Sequence, residues 1–281
     1  MQLAQILILA VVQGAAELLP VSSSAHVIVA EKLMGLDPTA PEMTLLLVML
    51  HTGTMFAVIV YFWTSWREAY FSSAQALRFR GFHLLVGTAA TAAVGLVLLQ
   101  VIKLAYARNA PGFEIEQLFG NARLMAVSLA AAGALILVAS RLDRGTGNDV
   151  STRTAAWVGA VQGLCLPFRG FSRSGATISA GLALGVVRRR AEEFSFALAV
   201  VLTPAVIARE AWRLYKAHDA ASIANADGLA AMVGPSLLGM LLSFIAGLIA
   251  LRWLSRWLEQ GRWHLFGIYC LLAAGAVLVV G

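Results

Sequence analysis

Between Gln13 and His26 an apolar stretch gathers an acid, three hydroxyls and a base: Glu17, Ser22, Ser23, Ser24 and His26. An ionisable side chain in such surroundings costs free energy, so it is by default a candidate for chemistry. Ser22 or Ser23 with His26 places a hydroxyl and an imidazole close in sequence, a pairing that permits nucleophilic or general-base work. Pro20 breaks any helix arriving from the N-terminus, because it removes a donor and clashes with the preceding turn. The serines behind it are N-cap candidates for a second helix. The free N–H groups and dipole of a helix start attract anions. The stretch therefore reads as a helix break within a membrane, with anion-binding donors beside an acid and a base.

The wording recurs. Gln13-Gly14 returns as Gln162-Gly163, 149 positions on, and Ser22 returns as Ser172, 150 positions on, so the second turn holds one extra residue. In this register Ser23 stands opposite Arg173 and Ser24 opposite Ser174, with Thr177 a turn beyond; a fainter echo sets Leu50-His51-Thr52 against Leu202-Thr203-Pro204. Paired, interrupted apolar segments point to an internal repeat with its site at the repeat interface. Two helix starts, the hydroxyls of Ser22, Ser24, Ser172, Ser174 and Thr177, and the Arg173 guanidinium are what a bound phosphate needs. Glu17 amid phosphate donors calls for a divalent cation that borrows substrate oxygens, Mg²⁺ first and Ca²⁺ as the alternative. Blander readings stand beside these. Ser22 and Ser174 read first as caps, Glu17 and Arg173 could form a buried bridge, and His51 reads equally as core or site. Arg169 either adds charge or snorkels to the surface.

The elements that position these groups follow from composition. The chain has 281 residues, 59% of them hydrophobic and 13% charged, with mean hydropathy +0.78. That is the profile of an all-α polytopic membrane protein forming one integral domain over 1–281. The net charge of +6 is scattered over short loops, which signals topology and not nucleic-acid binding. Cys165 and Cys270 lie far apart in apolar segments and read as small buried hydrophobes. The N-terminus lacks the basic flank of a secretory signal and is taken as mature structure. Full spans are expected over 43–63, 82–102, 124–140, 194–212, 228–251 and 263–280, with a turn at Asn109-Ala110-Pro111-Gly112 and kinks at Pro204 and Pro235. The pairs 3–19 with 22–34 and 155–167 with 174–187 are too short to span and read as re-entrant helical hairpins. Arg67, Arg78, Arg80, Arg141, Arg144, Arg153, Arg188, Arg189, Arg190, Arg252, Arg256 and Arg262 then share one side, which the positive-inside rule makes cytoplasmic. Both termini and the first hairpin face out, the second hairpin enters from the cytoplasm, and the repeats (about 1–140 and 154–281) are inverted.

Glu-Leu-Leu-Pro-Val-Ser-Ser-Ser-Ala-His and Gly-Phe-Ser-Arg-Ser-Gly-Ala-Thr resemble the two signature motifs of the bacterial undecaprenyl-pyrophosphate phosphatases, the bacitracin-resistance family. The resemblance extends over essentially the whole chain. It implies hydrolysis of undecaprenyl pyrophosphate to the monophosphate, which recycles the lipid carrier of cell-wall polymers. It also implies a bacterial plasma-membrane enzyme with a divalent metal, a polyprenyl pyrophosphate lipid as substrate and an inverted-repeat fold; a homodimer is allowed. Carried over by motif position, Gln13 and Glu17 are the metal pair, Ser23 and His26 the catalytic candidates, and Arg173 the phosphate-binding arginine. Gln13 stands where Glu is common, Ser24-Ala25 where Thr-Gly is common, and Arg169 where Pro is usual. Two other protein classes share parts of this pattern. An inverted-repeat transporter or flippase for a lipid-linked phosphate shares the architecture. A type 2 phosphatidic-acid phosphatase needs a histidine and an aspartate after its Ser-Arg, and neither follows Arg173 through Arg190.

Overall fold

The structure, a computed structural model, describes residues 2–37, 41–105, 121–143, 147–220 and 226–280. Among them the regular structure is helical apart from one isolated bridge between Asn148 and Val186. The helices are α1 (Leu3–Leu18), α2 (Ser23–Leu33), α3 (Pro41–Phe71), α4 (Ala74–Ala105), α5 (Ala122–Leu142), α6 (Thr152–Cys165), α7 (Arg173–Ala183), α8 (Arg188–Ala220), α9 (Ala226–Glu259) and α10 (Trp263–Val280). Met43–Phe71, Ala74–Ala105, Ala122–Leu142 and Val233–Glu259 are long and apolar enough to cross a membrane; α1 and α10 are apolar and shorter. Six full spans were expected, and four among the described residues meet that measure. The turn expected at Asn109-Ala110-Pro111-Gly112 lies outside the described residues. Pro204 and Pro235 both fall inside helices that run on through them.

The two interruptions fall where Pro20 and the Gly170 region demand them. α1 stops at Leu18 and α2 restarts at Ser23, while α6 stops at Cys165 and α7 restarts at Arg173. The starts differ. Ser172 caps α7 by accepting from the Gly175 N–H at 3.2 Å. Ser22 makes no such bond and takes φ +67, the one non-glycine residue with positive φ among the described residues.

The recurring Gln-Gly pairs have a packing reason. α1 lies against α9 and α6 lies against α4. A Cβ on Gly14 would sit 2.7 Å from the Ser243 carbonyl oxygen, and one on Gly163 would sit 2.7 Å from the Thr91 carbonyl oxygen. Both helices approach backbone to backbone, which membrane helices do with small residues. Gln162 Nε2 donates to Thr91 Oγ1 at 3.3 Å across the second contact.

Leu129, Ile136, Ile178, Phe196, Leu198, Leu254 and Trp263 fill the main core, and Ile6, Leu9, Met43, Leu46 and Leu50 a second cluster. Outward faces carry Leu85, Leu96, Val97, Val127, Ile249 and Leu272, as helices against lipid would. One end of the bundle is tied by ions. Glu193 accepts from Arg189 at 3.0 Å, Arg190 at 2.7 Å and Ser65 at 2.5 Å. Arg188 bonds Asp143 at 2.6 Å. Ahead of the apolar run of α8, burial pushes the Glu192 carboxyl up to about 8, and Ser255 Oγ donates to it at 2.5 Å.

Candidate active site

The two helix breaks meet. Ser174 Oγ donates to the Leu19 carbonyl at 3.2 Å, and Cys270 Sγ from α10 donates to the Pro20 carbonyl at 3.2 Å. This brings the starts of α2 and α7 beside the end of α1, where Glu17 sits one turn before the break.

Glu17 is the centre of the cluster. Ser23 Oγ donates to its Oε2 at 2.5 Å, and Gln13 Nε2 donates to the same oxygen at 3.3 Å. Arg173 Nη2 donates to Oε1 at 3.1 Å. His51 Nε2 lies 3.9 Å from Oε2, so α3 contributes to the site. Gln13 reaches Glu17 because residues four apart share a helix face. One carboxylate thus collects groups from α1, α2, α3 and α7.

Arg173 is not exhausted by this pair. Its Nη1 is buried and finds no hydrogen-bond acceptor among the described residues. A buried guanidinium donor without a partner is costly, and an anion brought to this edge would satisfy it in the forked geometry that arginine offers phosphate. The reading of Glu17 and Arg173 as a mere structural bridge leaves that donor unexplained.

The other named residues divide. Ser22, Ser23, Ser172, Ser174 and Thr177 are all buried. Ser172 is spent on capping and Ser174 on Leu19. Thr177 Oγ1 donates to the Arg173 carbonyl at 2.8 Å and lies 2.6 Å from Ser195 Oγ. These three hydroxyls hold the α7 start in place. Ser24 is half-buried at the α2 start.

His26 is near the cluster but not bonded to Ser23, the pairing expected from their spacing. Its Nδ1 lies 2.8 Å from the Ser22 carbonyl and its Nε2 2.6 Å from Tyr269 Oη. Ser23 leans on Glu17 instead. Tyr269 escaped the sequence reading because 243 positions separate it from His26. Its one signal is a lone phenol in the apolar α10.

A divalent cation would find only part of its shell in these groups. Among the described residues no three His, Cys, Asp or Glu side chains cluster to hold a metal by themselves. The donor set is one carboxylate with a hydroxyl and an amide, hard oxygen ligands that suit a cation completing its shell with substrate oxygens. Gln13 turns its NH₂ toward Glu17, and an amide flip would present its oxygen there. Glu17, Gln13 and Ser23 therefore fit such an ion, shared with a phosphate.

A cavity toward the C-terminal end of α3 is lined by Ser65, Glu68, Arg80, Arg189 and Arg190. Its arginines already pair with Asp149 and Glu193, and it holds none of the groups above.

Comparison with known proteins gives the family. Residues 6–276 match the family model described as Bacitracin resistance protein BacA. A protein of Acinetobacter baylyi named undecaprenyl-diphosphatase 2 is 60% identical over 280 residues, covering 100% of this chain and 98% of that protein. An undecaprenyl-diphosphatase 2 of Burkholderia thailandensis is 34% identical and an undecaprenyl-diphosphatase 1 of Burkholderia pseudomallei 33%, each covering 94% of this chain and 92% of the relative. With a family model spanning nearly the whole sequence and a relative this similar from end to end, the chain belongs to the bacitracin resistance protein BacA family.

Proposed function

We propose that this protein is a multi-pass membrane phosphatase that hydrolyses undecaprenyl pyrophosphate to undecaprenyl phosphate and inorganic phosphate, returning the lipid carrier to cell-wall synthesis. The observation that carries the reading is the buried Arg173 Nη1, which has no hydrogen-bond partner among the described residues, on a guanidinium whose other nitrogen bonds the carboxylate that Ser23 also bonds. An anion seat, a hydroxyl and a base thus meet at one point.

In the proposed reaction Arg173 grips the terminal phosphate, and the N–H groups of the α2 and α7 starts add to the seat. Ser23 Oγ attacks the terminal phosphorus while its proton passes to Glu17. The anhydride bond breaks, and its electron pair leaves with undecaprenyl phosphate. Water then attacks the phosphoserine, and Glu17 returns the proton to Ser23 Oγ as the ester bond breaks. Arg173 stabilises the charge that develops as the anhydride bond opens. A divalent cation, Mg²⁺ or Ca²⁺, held by Glu17 with Gln13 and Ser23, would draw charge from the pyrophosphate oxygens.

The topology proposed for this site is an inverted repeat of about 1–140 and 154–281 in the inner membrane. α1–α2 and α6–α7 are the re-entrant hairpins, and the other six helices are spans. The exchange of partners, α1 on α9 and α6 on α4, supports it, as does the bond from Ser174 to Leu19 that joins the breaks. The arginine-rich loops support an orientation with the first hairpin and both termini outward. The test is phosphate release from undecaprenyl pyrophosphate by purified protein in detergent with Mg²⁺. Steady release is expected. A protein that moves the lipid between leaflets but releases no phosphate at any Mg²⁺ or Ca²⁺ concentration would be a transporter.

A further inference from the structure

His26 is held from the far end of the chain. Its Nδ1 lies 2.8 Å from the Ser22 carbonyl oxygen. A carbonyl only accepts, so Nδ1 carries a proton, and in that tautomer of the imidazole Nε2 offers its lone pair. Tyr269 Oη lies 2.6 Å from that nitrogen, so the phenol donates to it. The two rings lie nearly parallel, with planes 13° apart. The imidazole is therefore bonded at both nitrogens, on one side to α10 and on the other to the turn that precedes Ser23.

That turn needs holding. Ser22 takes φ +67 without a side-chain capping bond, a conformation that a residue with a Cβ disfavours. Yet its geometry aims Ser23 Oγ at Glu17. α10 is itself fixed at two points: Trp263 Nε1 donates to Ser179 Oγ on α7 at 3.0 Å, and Cys270, next to Tyr269, grips the Pro20 carbonyl. A rigid helix thus reaches through one phenol and one imidazole to a strained carbonyl.

Taking the phosphatase reading as given, we propose that Tyr269 is a positioning residue for the reaction. Its hydroxyl acts through His26 to fix the Ser22 carbonyl, and so the turn that presents Ser23 to Glu17. His26 in this arrangement is a strut between α10 and the turn.

Tyr269→Phe removes one oxygen and keeps the ring. It should lower kcat about tenfold, the scale of one net hydrogen bond, and leave KM within about twofold because the phosphate seat is untouched. In a His26→Ala background the same change should cost nothing further, since the path is already cut. Nitrogen NMR of imidazole-labelled protein reads the bond without turnover, with the His26 resonances assigned by their loss in His26→Ala. The wild type should report a protonated Nδ1 and an accepting Nε2, and Tyr269→Phe should move the Nε2 resonance. An unmoved Nε2 resonance overturns the bond. An equal kcat loss with and without His26 overturns action through the imidazole. A wild type that releases no phosphate overturns the phosphatase reading instead, and the NMR comparison still decides the bond.

Discussion

Glu17 and Arg173 share one contact, and two substitutions separate what each contributes. Glu17→Gln keeps shape but removes the acceptor for the Ser23 proton, so turnover should fall by about 10²–10⁴, the range of a lost general base. Arg173 would also lose its counter-charge, so the melting temperature should drop as well. Normal turnover of this variant across Mg²⁺ concentrations would sink the role. Arg173→Lys keeps the charge and gives up the planar fork. Substrate affinity should survive in large part while kcat falls by about 10²–10³. A lowered melting temperature with near-normal kcat would instead make Arg173 a structural partner of Glu17. Glu17, Ser23 and Arg173 were legible in the sequence because polar groups inside apolar helices have few other uses. The partner of each was not. Spacing set His26 beside Ser23, but a helix start turns successive side chains to different faces, and only the fold decides that Glu17 takes the hydroxyl and Tyr269 the imidazole.

At the scale of elements, the breaks were readable from Pro20 together with the serines behind it, since the missing donor coincides there with side chains able to start a new helix; a proline alone does not suffice, because α8 and α9 run on through Pro204 and Pro235. The purpose of the repeated Gln-Gly was not readable, because close approach of two backbones is a property of the pair of helices. Gly163→Ala tests it. Its Cβ would meet the Thr91 carbonyl oxygen at 2.7 Å and the Val94 Cβ at 2.9 Å, and neither belongs to a flexible side-chain end. A loss of about 1–3 kcal/mol is expected for such overpacking, visible as a lower melting temperature in detergent. Gly81→Ala, where none of the described residues lies within 4 Å of the added Cβ, should be neutral or stabilising, as the better helix former in an open position. Equal melting temperatures for the two variants would mean that α6 can back away from α4 at no cost.

For the whole molecule the remaining question is which way the site faces. The thiols suit a labelling test, because Cys165 and Cys270 are both buried and should give little background. Asp37, after α2, and Gln260, between α9 and α10, are both exposed. In the inverted-repeat topology the first hairpin returns to the outer side, so Asp37 lies outside. α3 then crosses inward, and the turn of Gln260 and Arg262, with Arg256 in the last turn of α9 before it, lies in the cytoplasm. Asp37→Cys in intact cells should therefore react with a membrane-impermeant maleimide, and Gln260→Cys only with a permeant one. The pair discriminates because a parallel arrangement of the repeats would change the number of crossings between the two positions. That would put both thiols on one side, and labelling of both by the impermeant reagent would reject the inverted repeat. Labelling of Gln260→Cys alone would keep the inversion and turn the protein over, placing the Glu17 cluster toward the cytoplasm, where the hydrolysed lipid would be a different leaflet's pool.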